Sequence, residues 1–439
     1  MRLTAQFGSK KIRKPSHVST PTFTIPRTIV DWLATFLAIA VANLRPTAIG
    51  GTYSFVVCAF IVFCISIFYF CNGSAREKLS LHKNVARQLF LLIALNFYLL
   101  IRVNLMSGTL PEDSFKGFLI MWVVISTLFL VSSCRSMTRP FFDSFAIIII
   151  LSSLSLIVTF SLVASGVPLY ALKIAHLDLT GYDYLQNYGD VSFPFTFIAN
   201  DANSWFGFVP RSGGLFREPG VFPPFACWAA AYAYLRKWSL PWIAVCLLAS
   251  VLSLSTVGPL AFFTGAILLA YKFRIRPIRA LILIALLGAA LWPALYSMEF
   301  IGLEDKIASQ SGSFADRQVL FWGAFDVKNI MFGDGFGWGG VSSTEGISLV
   351  SQMRVYGVIY VVTVVAIYIC AMKNIKLWIA GCLPGFITVL FSQPISTDAA
   401  FLVIFFSWAA FQETSPRDTG SKMHPGSSRR LMPFCLPTN

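Results

Sequence analysis

The chain has 439 residues, of which 56% are hydrophobic, 15% aromatic and only 12% charged, and its mean hydropathy is +0.70. Length alone would allow two or three soluble domains, but this composition excludes them. The formal net charge of +14 raises nucleic-acid binding, yet the basic residues collect in alternate turns and in both tails. That is the bias of an inserted membrane protein, so no nucleic-acid partner is expected.

Apolar runs recur from end to end, each near the length a helix needs to cross about 30 Å of hydrocarbon. The expected fold class is therefore an all-α polytopic membrane protein with about 12 transmembrane helices and two long outer loops. The runs cover 28–44, 52–71, 88–107, 117–134, 144–165, 221–235, 240–255, 257–271, 280–297, 355–372, 377–393 and 399–412. With both termini cytoplasmic, most of the 34 basic residues fall inside. No cleavable signal peptide is expected, because the first apolar run follows a long basic leader and lacks a small-residue cleavage site. The nine cysteines lie in the spans, at their inner ends or in the C-terminal tail, which predicts no disulfide.

Residues 1–27 are basic and rich in Ser, Thr and Pro, and read as a disordered cytoplasmic leader. Asp31 near the inner end of the first span reads as an interfacial acid. In the third span, Arg102 follows a largely apolar run. An arginine there either snorkels to the outer boundary or faces an anion in a polar cavity. The turn 108–116, with Glu112, Asp113 and Lys116, reads as a solvated loop.

The first outer loop, about 166–220, is far longer than a connection requires, which marks it as functional. Its aromatics include Tyr188, Phe193, Phe195 and Trp205, among Asp178, Asp183, Asp190 and Asp201. Two accounts stand side by side. Rings flanked by carboxylates suit a sugar, whose C–H faces stack on them; alternatively the rings fold the loop onto the membrane interface. His176 reads as a surface residue.

The loop ends in Arg211-Ser-Gly-Gly-Leu-Phe-Arg217-Glu-Pro-Gly220, directly before the apolar helix expected near Val221. Ser255-Thr-Val-Gly-Pro259 is expected to make a tight outer turn between two short helices. The second outer loop, about 298–354, holds Arg317 in Ser313-Phe-Ala-Asp-Arg317 and then the glycine-rich Phe332-Gly-Asp-Gly-Phe-Gly-Trp-Gly-Gly340. Glycines of this density let backbone approach a ligand closely. The segment 413–439 is a basic cytoplasmic tail.

Arg211, Arg217 and Arg317 stand out on an outer face that is otherwise net acidic. A guanidinium gives bidentate contact to phosphate and stays protonated at any working pH. Arginines so placed suit a lipid-borne pyrophosphate, and would stabilise charge on it as a glycosyl bond breaks. Glu218 either accepts the proton of an attacking hydroxyl or pairs with Arg217 to cap the following helix. No Walker-type loop is present, so ATP-driven pumping is unsupported. The four histidines are scattered, so neither a metal nor another cofactor is expected.

The 211–220 element, entering a helix, resembles the pattern of bacterial O-antigen and exopolysaccharide polymerases of the Wzy type. The stretch from Arg317 through Trp322 to Phe332-Gly-Asp-Gly-Phe-Gly is similar to the second outer-loop element of those polymerases and of the related O-antigen ligases. The resemblance implies transfer of a growing glycan from an undecaprenyl-pyrophosphate carrier onto a lipid-linked repeat unit, at the outer face of the bacterial inner membrane. It implies that Arg211 and Arg317 hold pyrophosphates, that Arg217 assists and that Glu218 is base or orienter. A chain-length regulator and a flippase are the implied protein partners. The ligases carry a His-Asn-like element before the helix after the second loop. Here that place reads Ser348-Leu-Val-Ser-Gln-Met-Arg354, which favours polymerase over ligase and adds Arg354 as an anion contact. A ligase, and a flippase or secondary transporter, remain as alternatives; a transporter would set its polar groups at the bilayer midplane rather than in loops.

Overall fold

The computed structural model describes residues 27–44, 47–48, 52–71, 83–107, 112–177, 189–204, 207–255, 257–273, 330–333, 348–370, 380–391 and 398–405, with isolated positions between 275 and 289. The helices are α1 (Arg27–Ala42), α2 (Thr52–Cys71), α3 (Lys83–Ser107), α4 (Glu112–Ser133) and α5 (Arg135–Ala164), then α6 (Phe222–Leu235), α7 (Leu240–Leu252), α8 (Leu260–Lys272), α9 (Leu349–Cys370) and α10 (Leu383–Phe391). A further stretch, 399–405, is helical. The protein is a helical membrane protein. Among the described residues four helices, α3, α4, α5 and α9, are long and apolar enough to cross a bilayer.

The expectation of an all-α chain is corrected between α5 and α6, in the segment expected as the first outer loop. Four strands, β1 (Lys173–His176), β2 (Asp190–Ser192), β3 (Thr196–Ser204) and β4 (Gly207–Gly214), form one sheet in the order β1-β2-β3-β4 with antiparallel neighbours. Short runs of Val, Ile, Thr and Phe separated by Gly and Pro have strand chemistry, and a sheet pairs backbone groups that a long loop would leave exposed. Pro210 lies in β4, an edge strand of this sheet, where a missing N–H is tolerated.

Three helical expectations also change. The solvated loop of 108–116 instead contains the start of α4 at Glu112. The fifth span begins at Arg135 rather than 144, because α5 continues through Arg139 and Asp143. Asp143 accepts hydrogen bonds from Tyr232 Oη at 2.7 Å and from Arg236 Nε at 3.0 Å, so its charge is compensated on the helix. Helices α7 and α8, expected as short helices over 240–255 and 257–271, are shorter still, with 13 residues each, or about 20 Å. Their connecting turn is buried at Ser253, Leu254, Ser255 and Val257. The pair is a hairpin shorter than the hydrocarbon thickness of about 30 Å.

Helix α6 is the centre of the bundle, buried from Phe222 through Ala233. A helix apolar on every side belongs inside. It packs against α5 through Phe142, Phe145, Trp228 and Tyr232, with Trp228 and Tyr232 stacked at 5.3 Å. Phe225 carries the core onward to Phe401 and Phe405. Helix α1 lies along α5, joined by a 2.9 Å hydrogen bond between Thr35 and Ser144.

Candidate functional site

The 211–220 element is not a loop over its whole length. Arg211 through Gly214 close β4, with Arg211 opposite Asn200 of β3. The chain then turns, Phe216 N donating to Gly213 O at 2.9 Å, and enters α6 three residues after Pro219. This turn is clamped from two sides by main-chain bonds. Leu215 N donates to Ser152 Oγ of α5 at 3.0 Å, and Ala48 N donates to Leu215 O at 2.8 Å. Phe216 bridges to Thr47, and its ring stacks on Phe225 at 4.6 Å.

Gly214 has φ +60°, and a Cβ there would run into Ser152 Oγ and the ring of Phe222. Only glycine gives both this left-handed backbone and this approach to α5. The motif's small residues therefore seat the turn.

Arg211, on β4 just before this seated turn, and Arg217 and Glu218 within it are half-buried. Arg217 Nε donates to Thr47 O at 3.3 Å, which joins its side chain to the connection after α1. The N-cap of α6 is Val221 and makes no side-chain cap bond. Glu218 contributes instead through its main chain, accepting from Val221 N at 3.1 Å. Guanidinium and carboxylate groups on one rigid turn suit an anionic group with an adjacent proton acceptor.

A second polar cluster lies where α3 meets α9. Arg102 is buried, at 2% exposure, rather than snorkelling. Its Nε donates to Phe332 O at 2.6 Å, a second guanidinium nitrogen donates to Val355 O, and the group lies 5.4 Å from the Tyr356 ring centroid. Tyr98 Oη donates to Tyr356 O at 2.7 Å. These carbonyls are released because α9 breaks at Gly357 (φ 81°). Beyond the break, Val358 N donates to Ile330 O at 2.9 Å, so the segment 330–333 fills it. Arg102 thus binds backbone carbonyls here, which makes its visible role structural. Arg354 is exposed one turn before the break.

The structure puts Arg211 near the end of β4 and Arg217 and Glu218 on the turn that follows it, against α5 and α1. It puts Arg102 and Arg354 on the α3–α9 unit. Arg317, Tyr188 and Trp205 lie outside the described residues. His176 is exposed, its Nδ1 2.7 Å from Asp190 Oδ1, and Lys173 Nζ is also 2.7 Å from that oxygen. The cluster ties β1 to β2. No group of three His, Cys, Asp or Glu among the described residues is arranged to hold a metal.

Ser152, Ser155 and Thr159 were missed from sequence, although they recur on one face of an apolar helix. Ser155 Oγ accepts from Phe195 N at 2.9 Å and lies 2.8 Å from Thr196 Oγ1, while Thr159 Oγ1 donates to Phe193 O at 2.8 Å. With Ser152 they fasten the sheet to α5. Comparison of the chain with protein-family models, with curated proteins and with solved structures finds no match in any of the three.

Proposed function

We propose that the protein is a membrane glycosyltransferase that extends a lipid-linked polysaccharide. A glycan leaves its undecaprenyl-pyrophosphate carrier and joins the terminal sugar of a lipid-linked repeat unit at the outer face of the bacterial inner membrane. In this reading an acceptor hydroxyl attacks the anomeric carbon of the donor glycan and gives its proton to Glu218. The bond from that carbon to the pyrophosphate oxygen breaks, and the electron pair leaves with the carrier. Arg211 and Arg217 stabilise the departing diphosphate, joined by Arg317.

The observation that carries the reading is the seated turn. Two arginines and a glutamate share one segment whose position is fixed by α5 and by the α1 connection. A preorganised charged group of this kind acts on developing charge without first having to rearrange.

The test is a deletion strain complemented with wild type or Arg211→Ala, with the surface glycan resolved by length. The expected result is that the deletion leaves single repeat units, wild type restores long chains, and Arg211→Ala is present at normal level but does not. Polymer stranded on its lipid carrier would indicate a ligase, and repeat units trapped on the cytoplasmic leaflet a flippase. Either outcome overturns the proposal.

A further inference from the structure

We infer that the β2–β3 turn, residues 192–196, is an interfacial wedge, with Phe193 and Phe195 inserted into lipid at the acyl–headgroup boundary. The inference needs the membrane-protein reading and no glycan chemistry. Both rings are uncovered by this chain, at 52% and 46% exposure. Two large exposed phenylalanines flanking a proline need an apolar partner.

The turn's position supplies that partner. It is bonded to α5 at Ser155 and Thr159, beside the stripe of Ile147, Leu151 and Val158 that this span leaves exposed. Such a stripe on a transmembrane helix faces lipid. Arg139 is the exposed charged residue at the other end of this helix, and Thr159 stands about 30 Å along the helix from it, one hydrocarbon thickness. Phe193, bonded to Thr159, is therefore level with the boundary, and Phe195, bonded one helical turn back at Ser155, lies on its acyl side.

The backbone of the turn meets the requirement of that depth. Where water is scarce, main-chain polar groups must be satisfied by protein. Phe193 N donates to Leu172 O at 2.7 Å, Phe193 O accepts from Thr159, Phe195 N donates to Ser155, and Pro194 has no N–H to satisfy. A sugar platform has no need of such internal bonding, since sugar and water supply partners. For the proposed function, the wedge holds the sheet whose last strand carries Arg211 beside the leaflet through which a lipid-borne substrate arrives.

The test uses the full chain reconstituted in vesicles, with Phe195→Trp and, as a second variant, Phe193→Trp. The emission added over the unsubstituted chain is read against phosphatidylcholines brominated high or low on the acyl chain, and against aqueous iodide. The expected result is loss of the added emission with bromine near the headgroup, weaker loss with bromine near the chain end, and little with iodide. Quenching of both variants by iodide alone would make the turn a water-facing platform. Quenching by neither agent would mean that a second copy of the chain covers it. Each of these results overturns the inference, and neither bears on whether the chain extends a glycan.

Discussion

Arg102 donates to the carbonyl of Phe332, which lies 230 positions further along the chain, at 2.6 Å. That bond joins α3 to the segment 330–333 at the point where α9 is broken. A helix end leaves carbonyls without intrahelical partners, and at the break Arg102 and Tyr98 supply donors to Val355 and Tyr356. Arg102, which the sequence offered as a snorkelling group or an anion contact, does not snorkel, and two of its nitrogens bond carbonyls at an interrupted helix.

Arg102→Ala is accordingly expected to destabilise the bundle whether or not substrate is bound. Each buried carbonyl left without a donor costs about 1–3 kcal/mol. The variant's melting temperature in detergent should fall clearly below wild type, and cleavage by added protease near 330–357 should rise. A normal melt together with lost activity would return Arg102 to the substrate.

Gly357→Ala tests the same junction from the other side. An alanine at φ 81°, ψ 170°, a region essentially reserved for glycine, costs about 1–3 kcal/mol, and its Cβ would collide with the carbonyl of Met331. The collision is with main chain, which no rotamer relieves. Protein yield should drop sharply for Gly357→Ala, whereas Gly265→Ala, whose Cβ would meet the flexible Leu247 side chain at 3.3 Å, should be close to neutral.

What the sequence disclosed follows from what is local. The limits of α2 at 52 and 71 and the start of α7 at 240 agree with hydropathy alone. Pro219-Gly220 before Phe222 marked the entry to α6 within one residue. Features that depend on distant partners were hidden. The extension of α5 through Asp143 relies on Tyr232 and Arg236. The early start of α9 at Leu349 and its break rely on Arg102, Tyr98 and the 330–333 segment. The sheet was misread because its aromatics drew attention to ligands, while the serines that fasten it are spread along a helix.

Removing one fastening should loosen the sheet without unfolding the bundle. Ser155→Ala takes a hydrogen-bond partner from Phe195 N and from Thr196 Oγ1, for an expected cost of about 1–3 kcal/mol. Ser153→Ala on the same helix loses a bond to Ile149 O and a hydrogen bond with the Cys246 thiol of α7, neither of which reaches the sheet. Hydrogen exchange should speed up across β2 and β3 in the first variant and stay near wild type in the second.

Glu218 separates chemistry from architecture most cleanly, because its two possible roles demand different things of its side chain. A structural role asks for a polar side chain of this size in the turn before α6, where the main-chain oxygen of Glu218 accepts from Val221 N. Glu218→Gln retains size and a carbonyl oxygen but cannot take up a proton at neutral pH. If Glu218 accepts the proton of the attacking hydroxyl, Glu218→Gln should keep wild-type level and melting temperature while chain extension slows by about 10²–10⁴-fold. Glu218→Asp, which keeps the carboxylate on a shorter arm, should recover part of that loss. Near-normal chain lengths with Glu218→Gln would leave the arginines as the working groups and reduce Glu218 to part of the turn.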